Sequence, residues 1–413
     1  MIPVRQLFPS RPPVDIAASL RSQLPRLAVR PGQRIAVGVG SRGITNLSQI
    51  VSEVIEFLRR AGAQPFIIPA MGSHGGATPE GQTSVLAEYG ISEEKLGVPI
   101  RATMEARLVG KTAQGADVFL SVEALDADGV IVVNRIKPHT DFSGALGSGL
   151  IKMLAIGLGK RIGATSLHAS ASHYGHETVL LQAGRIALGA LQVVGGVAII
   201  EDERHHTAIL EVVTSGEIEK REKELLIDAR RLMPKLPFDD IDLLIVDRMG
   251  KNISGAGLDP NIVGRGVQGY SSATADMKTK PIVRRIFVGD LTPETRGNAI
   301  GVGMTDFTSA RLVRAMDQKS TFINSLTALS HQSAKIPVHF ERDTETIGCA
   351  LTTLALPQGI EPRVMHIADT LNLETLEVSE NYREEIESHQ ALEMTGPPEE
   401  MRFDDAGQVV PVG

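Results

Sequence analysis

Apolar positions in the first half of the chain alternate between short runs of strand length and stripes of helical period. Residues 34–39 form a nearly continuous apolar run, and in 46–60 Leu47, Ile50, Val51, Val54, Ile55 and Leu58 recur at helical spacing. A second strand follows at 64–70, and Thr78 with Pro79 after it has the form of an N-cap and first helical residue. Residues 129–136 make an apolar, β-branched strand that runs through Asn134 and Arg135. The runs 195–200 and 243–247 repeat that pattern between amphipathic stretches. This alternation predicts an α/β fold with mainly parallel sheets flanked by helices.

A charged helix ends in Met233-Pro-Lys-Leu-Pro-Phe-Asp-Asp240, where two prolines precede a fresh strand. The expected division is therefore a domain at 1–236 and a second α/β domain at 237–413, with the active site in the cleft between them. Within the second domain the pattern predicts helices at 306–317, 344–354 and 381–392. The last ten residues read as loosely held.

The 413 residues suffice for two cores, and 42% hydrophobic with 22% charged residues is ordinary for a soluble globular enzyme. A net charge of −7 argues against a nucleic-acid or anionic-membrane partner, because such binding rests on concentrated Lys and Arg. The basic run 221–235 is interleaved with acids and reads as a solvated helix face. Cys349 is the single cysteine, which excludes an internal disulfide, a cysteine-based zinc site and an iron–sulfur cluster. The N-terminus lacks a signal-like apolar core and the apolar run 186–200 is interrupted by Gln and Gly. The expectation is a soluble, cytoplasmic protein.

Candidate chemistry concentrates at strand ends. Gly38-Val-Gly-Ser-Arg-Gly43 matches G-x-G-x-x-G between a strand and a helix, but the second strand ends in Pro69-Ala-Met71 without the acid that would hold an NAD ribose. Ser41 and Arg42 suggest instead a phosphate held by guanidinium and backbone amides; a tight turn with no ligand is the bland alternative. Gly72-Ser-His74 follows the second strand at the edge where ligands bind in open α/β sheets, so His74 is either ligand-lining or a turn residue. His139 follows Pro138 at the end of 129–136 and can accept a proton near neutral pH. Lys137 beside it offers an anchor for an anionic substrate, and Asp141 an orienting carboxylate. Lys152, after Gly149 in an apolar run, reads either as a snorkelling surface lysine or as a desolvated amine suited to covalent attachment. His139, His168, His173 and His176 are four of the chain's eleven histidines within forty residues, which admits a metal reading with no HExxH motif beside it. The Gly/Asn-rich stretch from Gly250 to Asn261, followed by Arg265, reads as a binding loop.

In order, Pro138-His139, a Phe-Ser-Gly and Gly-x-Gly run, Lys152, Gly157 and His168 resemble the nickel-dependent lactate racemase family. Ser41-Arg42 and Gly72-x-His74 resemble that family's phosphate anchor and Gly-x-His loop. The resemblance implies that Lys152 tethers a nickel-pincer nucleotide through a thioamide and that His168 ligates the nickel. It also implies that His139 takes the hydroxyl proton of a 2-hydroxy acid while the carbon-bound hydrogen moves as hydride to the cofactor. Cofactor-synthesis enzymes are then the implied protein partners.

The chain departs from the family on the substrate side. No histidine stands in Ile100-Arg-Ala-Thr-Met-Glu105, where a second proton-transfer histidine is expected. Val263, Gly264 and Val267 fall where the family places Tyr-Gln and lysine contacts, and Gly43 replaces a proline. The reading is therefore a racemase or epimerase of a 2-hydroxy acid other than lactate, with His74 or Lys137 as the other acid–base partner. The alternatives are an NAD-dependent oxidoreductase, or a non-catalytic protein that binds a phosphorylated ligand or metal.

Overall fold

The computed structural model describes residues 1–40, 43–140, 142–266 and 280–413. Ser41, Arg42, Asp141 and Val267 lie outside the described residues. The chain opens with β1 (Ile2–Gln6) and then separates into two compact units, 11–233 and 234–413, with residues 1–10 joining the second.

In the 11–233 unit, β2 (Arg34–Val39) leads through the Leu47–Arg60 helix to β3 (Gln64–Pro69), as the periodicity predicts. An antiparallel hairpin, β4 (Ala106–Lys111) with β5 (Asp117–Ser121), precedes β6 (Gly129–Arg135), β7 (Val193–Glu201) and β8 (Thr207–Thr214). The main sheet runs β3-β2-β6-β7-β8, parallel except for β8. Its two faces bury separate apolar clusters. Six of the seven apolar positions of the Leu47–Arg60 helix lie in one of them, with Phe57 packed against it, and residues of β6 feed both. Because β2 connects to β3 on one side and pairs with β6 on the other, the carboxyl ends of β2, β3 and β6 frame the crevice where open α/β sheets bind ligands.

The second unit carries β9 (Asp240–Met249), β10 (Ile282–Leu291), β11 (Phe307–Ser309), β12 (Val338–Phe340), β13 (Val364–Ile367), β14 (Thr375–Val378) and β15 (Leu392–Met394). These form one sheet in the order β12-β11-β10-β9-β13-β14-β1-β15, parallel from β12 to β13 and antiparallel thereafter.

Several expectations need correction here. β1, placed by the sequence reading in the N-terminal domain, lies between β14 and β15 of the second unit, a pairing across more than 370 residues that local pattern does not carry. The helix expected at 306–317 is β11 followed by a helix at Ala310–Ala315; Ser309 caps that helix by accepting from the Leu312 amide at 3.0 Å. The helix expected at 381–392 is confined to Arg383–Ser388, because Leu392 already pairs with Gln6. The C-terminal residues are held rather than loose: Val409 and Val412 donate backbone hydrogen bonds to Asp343 and Asp247 at 3.0 and 2.8 Å. His366 sits buried between Asp247 and Glu377, with Nε2 at 2.6 Å from Asp247.

Arg265 is structural. Its buried guanidinium donates to the carbonyls of Met304, Val283 and Arg284 and pairs with Asp306 at 2.7 Å. Gly264 is fixed by its own fold as well, with φ +66° and the Pro281 carbonyl 2.0 Å from where a Cβ would stand.

Candidate active site

The carboxyl ends of β2, β3 and β6, with the turn that carries Lys152, line a pocket. Gly40, Met71, His74, Asn134, Arg135, Lys137, Ser148 and Lys152 are among its lining residues. Lys137 and Lys152 line it, as does Arg135, which pairs with the buried Glu201, and no carboxylate is among its described lining residues.

The loop after β6 is closed on itself. Lys137 and Ser148 exchange both backbone hydrogen bonds, at 2.9 and 2.8 Å, and the Asn134 amide donates to the Gly149 carbonyl at 3.1 Å. The chain then enters a short helix, Leu150–Lys152, and a π-helical turn, Met153–Gly157, in which the Leu158 amide reaches back to Met153. The extra residue of such a turn re-aims side chains and is frequent at functional sites. Here Lys152, Met153, Ile156 and Gly157 all reach the pocket.

Lys152 is thereby placed against His139. Its Nζ lies 2.8 Å from His139 Nε2 and 3.3 Å from Ser148 Oγ. The lysine is half-buried in the pocket wall, which removes the reading of a snorkelling surface lysine. The imidazole is 7% exposed and its ring is stacked: Phe142 lies 4.4 Å from it and His176 lies 5.4 Å beyond Phe142, both nearly coplanar. His176, which the sequence leaves without a task, therefore braces His139 through Phe142. His173 is exposed on the last turn of the Lys160–Tyr174 helix.

The loop after β3 supplies His74. Gly72 (φ +59°) donates to the Gly157 carbonyl at 3.1 Å, tying this loop to the lysine turn. Buried Gln82 donates to the carbonyls of Gly72 and His74 at 3.0 and 3.3 Å, a support no sequence signal marks. His168 is half-buried on the Lys160–Tyr174 helix and is not among the pocket-lining residues. It stands one turn beyond Ala164, whose Cβ lies 3.8 Å from where a side chain on Gly72 would begin, so it shares the helix face turned to that loop. Among the described residues no group of three or more His, Cys, Asp or Glu is gathered as a metal cage.

Two buried charges lie behind the lysine turn. Glu222 belongs to the run 221–235, yet it is 1% exposed, which corrects the solvated reading at this position. Its Oε2 accepts from the Ile151 amide at 2.7 Å, and burial without a cation pushes its carboxyl up to about 7. Its other oxygen would stand 2.4 Å from a Cβ on Gly149, which explains glycine there. Lys160 is fully buried with Nζ donating to the Pro69 carbonyl at 2.6 Å, and burial lowers its amine to about 8.

Gly157 meets the end of β3 so closely that a Cβ would lie 2.5 Å from the Ala70 carbonyl oxygen. Both partners are backbone, so Gly157→Ala is expected to destabilise the protein by about 1–3 kcal/mol. A fall in the urea midpoint with an unchanged slope would show it; an unchanged midpoint would mean the turn yields freely.

Residues 18–177 match the lactate racemase N-terminal domain family. The solved structures similar to this chain include the lactate racemase apoprotein from Thermoanaerobacterium thermosaccharolyticum. That similarity is 14% identity with a TM-score of 0.51, covering 86% of this chain and 91% of the other. A structural-genomics crystal structure of a protein from Thermotoga maritima matches at 12% identity and a TM-score of 0.52, over 79% of this chain and 84% of that one. No curated protein matches the chain. Among the described residues no helix is long and apolar enough to cross a membrane.

Proposed function

From the premise that residues 18–177 belong to the lactate racemase N-terminal domain family, we propose that this protein racemises or epimerises a 2-hydroxy acid other than lactate, on a nickel-pincer nucleotide tethered at Lys152. The observation that carries the reading is the 2.8 Å approach of Lys152 Nζ to His139 Nε2 at the wall of a pocket that Lys137 and His74 also line. Tether and proton acceptor then stand side by side, as a reaction at a tethered ring requires.

The residues present fit such a group on the tether side. Lys152 offers its amine at the pocket wall, and Gly40 and Gly157 bring backbone close on either flank. His168 would supply the protein's imidazole to nickel, and Ser41 and Arg42 the phosphate contacts. When bound, the group supplies a reversible acceptor for the hydrogen on C2 of the substrate. The chain's own residues do the rest. His139, oriented by the Phe142 stack, holds and returns the hydroxyl proton at Nε2. Lys137 pairs with the substrate carboxylate, and His74, from the loop after β3, is the other acid–base group. An NAD reading gains nothing from the geometry, since β3 ends in Pro69 and the lining adds only Ala70 and Met71 there.

Transfer of the C2 hydrogen as hydride predicts that it is not exchanged with solvent. Protein made together with the cofactor-synthesis enzymes is expected to invert a C2-deuterated 2-hydroxy acid in ordinary water with the label kept. Label washout, or no inversion across a panel of such acids, would overturn the proposal.

A further inference from the structure

The pair at Lys152 also has the parts of a second chemistry that needs no tethered group. We infer that the untethered protein forms a reversible imine between Lys152 Nζ and the keto carbon of a 2-keto acid, with His139 carrying the proton.

Three observations support this assignment. The nucleophile and its base are in contact, Nζ to Nε2 at 2.8 Å, with the Ser148 hydroxyl 3.3 Å from the same nitrogen. Lys152 is half-buried beside Met153 and Ile156 in the pocket wall, where a ligand in the pocket reaches it. Lys137 in the same lining selects the ligand, since a keto compound bearing a carboxylate gains a charge-assisted contact that a simple ketone lacks.

The step balances without an oxidant. The Nζ lone pair adds to the keto carbon, forming C–N and opening the C=O π bond. The Nζ proton passes to His139 Nε2, and the carbinol oxygen takes a proton back from that imidazolium. The remaining Nζ proton then passes through His139 to the carbinol oxygen as the C–O bond breaks, water leaves and C=N forms. Lys160 provides an internal contrast. Its amine is lowered to about 8, yet its Nζ is sealed against the Pro69 carbonyl and cannot reach a ligand.

The inference goes beyond the proposed racemase reading and does not depend on it, because it concerns protein made without the cofactor-synthesis enzymes. Such protein is incubated with pyruvate and sodium cyanoborohydride, then measured by intact mass and peptide mapping. The expected result is one reduced adduct at Lys152, saturable in pyruvate, absent from Lys160 and much weaker with acetone. Lys152→Arg should remove it, and His139→Asn should slow trapping by at least about tenfold while melting like the parent. No adduct in the unaltered protein, labelling spread over surface lysines, or equal trapping of pyruvate and acetone would overturn the inference. Trapping at Lys152 with no nickel-containing adduct in co-produced protein would leave the imine standing and defeat the racemase reading alone.

Discussion

Lys152→Ala, made alongside the cofactor-synthesis enzymes, is expected to lose all turnover while melting within a few degrees of the parent. The two halves of that result have different causes. The amine is the attachment point in the proposed function, so activity falls to background rather than by a modest factor. The fold, by contrast, draws little from the ammonium. The lysine turn is held by the Ile151 amide on Glu222, the Leu158 amide on Met153 and the Gly72 amide on Gly157, none of which uses the Lys152 side chain. Truncating a half-buried side chain at the edge of a pocket costs about 1 kcal/mol or less. Turnover at even a few per cent of the parent would mean that Lys152 is not the attachment point.

Glu222→Gln is expected to stabilise the protein relative to the parent at high pH but not at low pH. Burial raises the folded carboxyl to about 7 from an ordinary value of 4.5. Below about pH 4.5 the group is protonated in both folded and unfolded chains, and its contribution is fully present. As pH rises through that range the unfolded chain releases its proton while the folded chain keeps it, so stability falls until the folded group ionises near 7. The loss amounts to about 3 kcal/mol for a shift of this size. Glutamine keeps an acceptor for the Ile151 amide and does not titrate. Denaturation series on both proteins from pH 4.5 to 8 should therefore diverge by about 3 kcal/mol, nearly all of it below pH 7.5. Parallel curves would mean that Glu222 is solvated or paired in solution.

The parts of this fold that were legible are those with local periodicity. The Leu47–Arg60 helix buries six of its seven apolar positions as a stripe, and β2, β3, β6 and β9 are apolar runs bounded by turn residues. The missed parts depend on partners far along the chain. β1 is a strand because β14 and β15 flank it, and Phe307–Ser309 looks helical until the edge of β10 claims it. Within the site, the glycines, Lys137, His139 and Lys152 stand out as reactive or permissive residues at strand ends, and all reach one pocket wall or its support. Glu222 does not stand out, because a carboxylate between Arg221 and Lys223 has the pattern of an exposed helix. Its burial follows from the way the Ile218–Leu232 helix meets the lysine turn. The support from Gln82 and the bracing of His139 by Phe142 and His176 are not legible for the same reason, since they exist only through contacts made in the fold.

The central claim is a cofactor held covalently at Lys152, and it is tested most directly by intact mass and nickel content of protein made with and without the cofactor-synthesis enzymes. The account predicts a single added mass on Lys152, with stoichiometric nickel, in the first preparation and neither in the second. Unmodified Lys152 and no nickel in both preparations would contradict it.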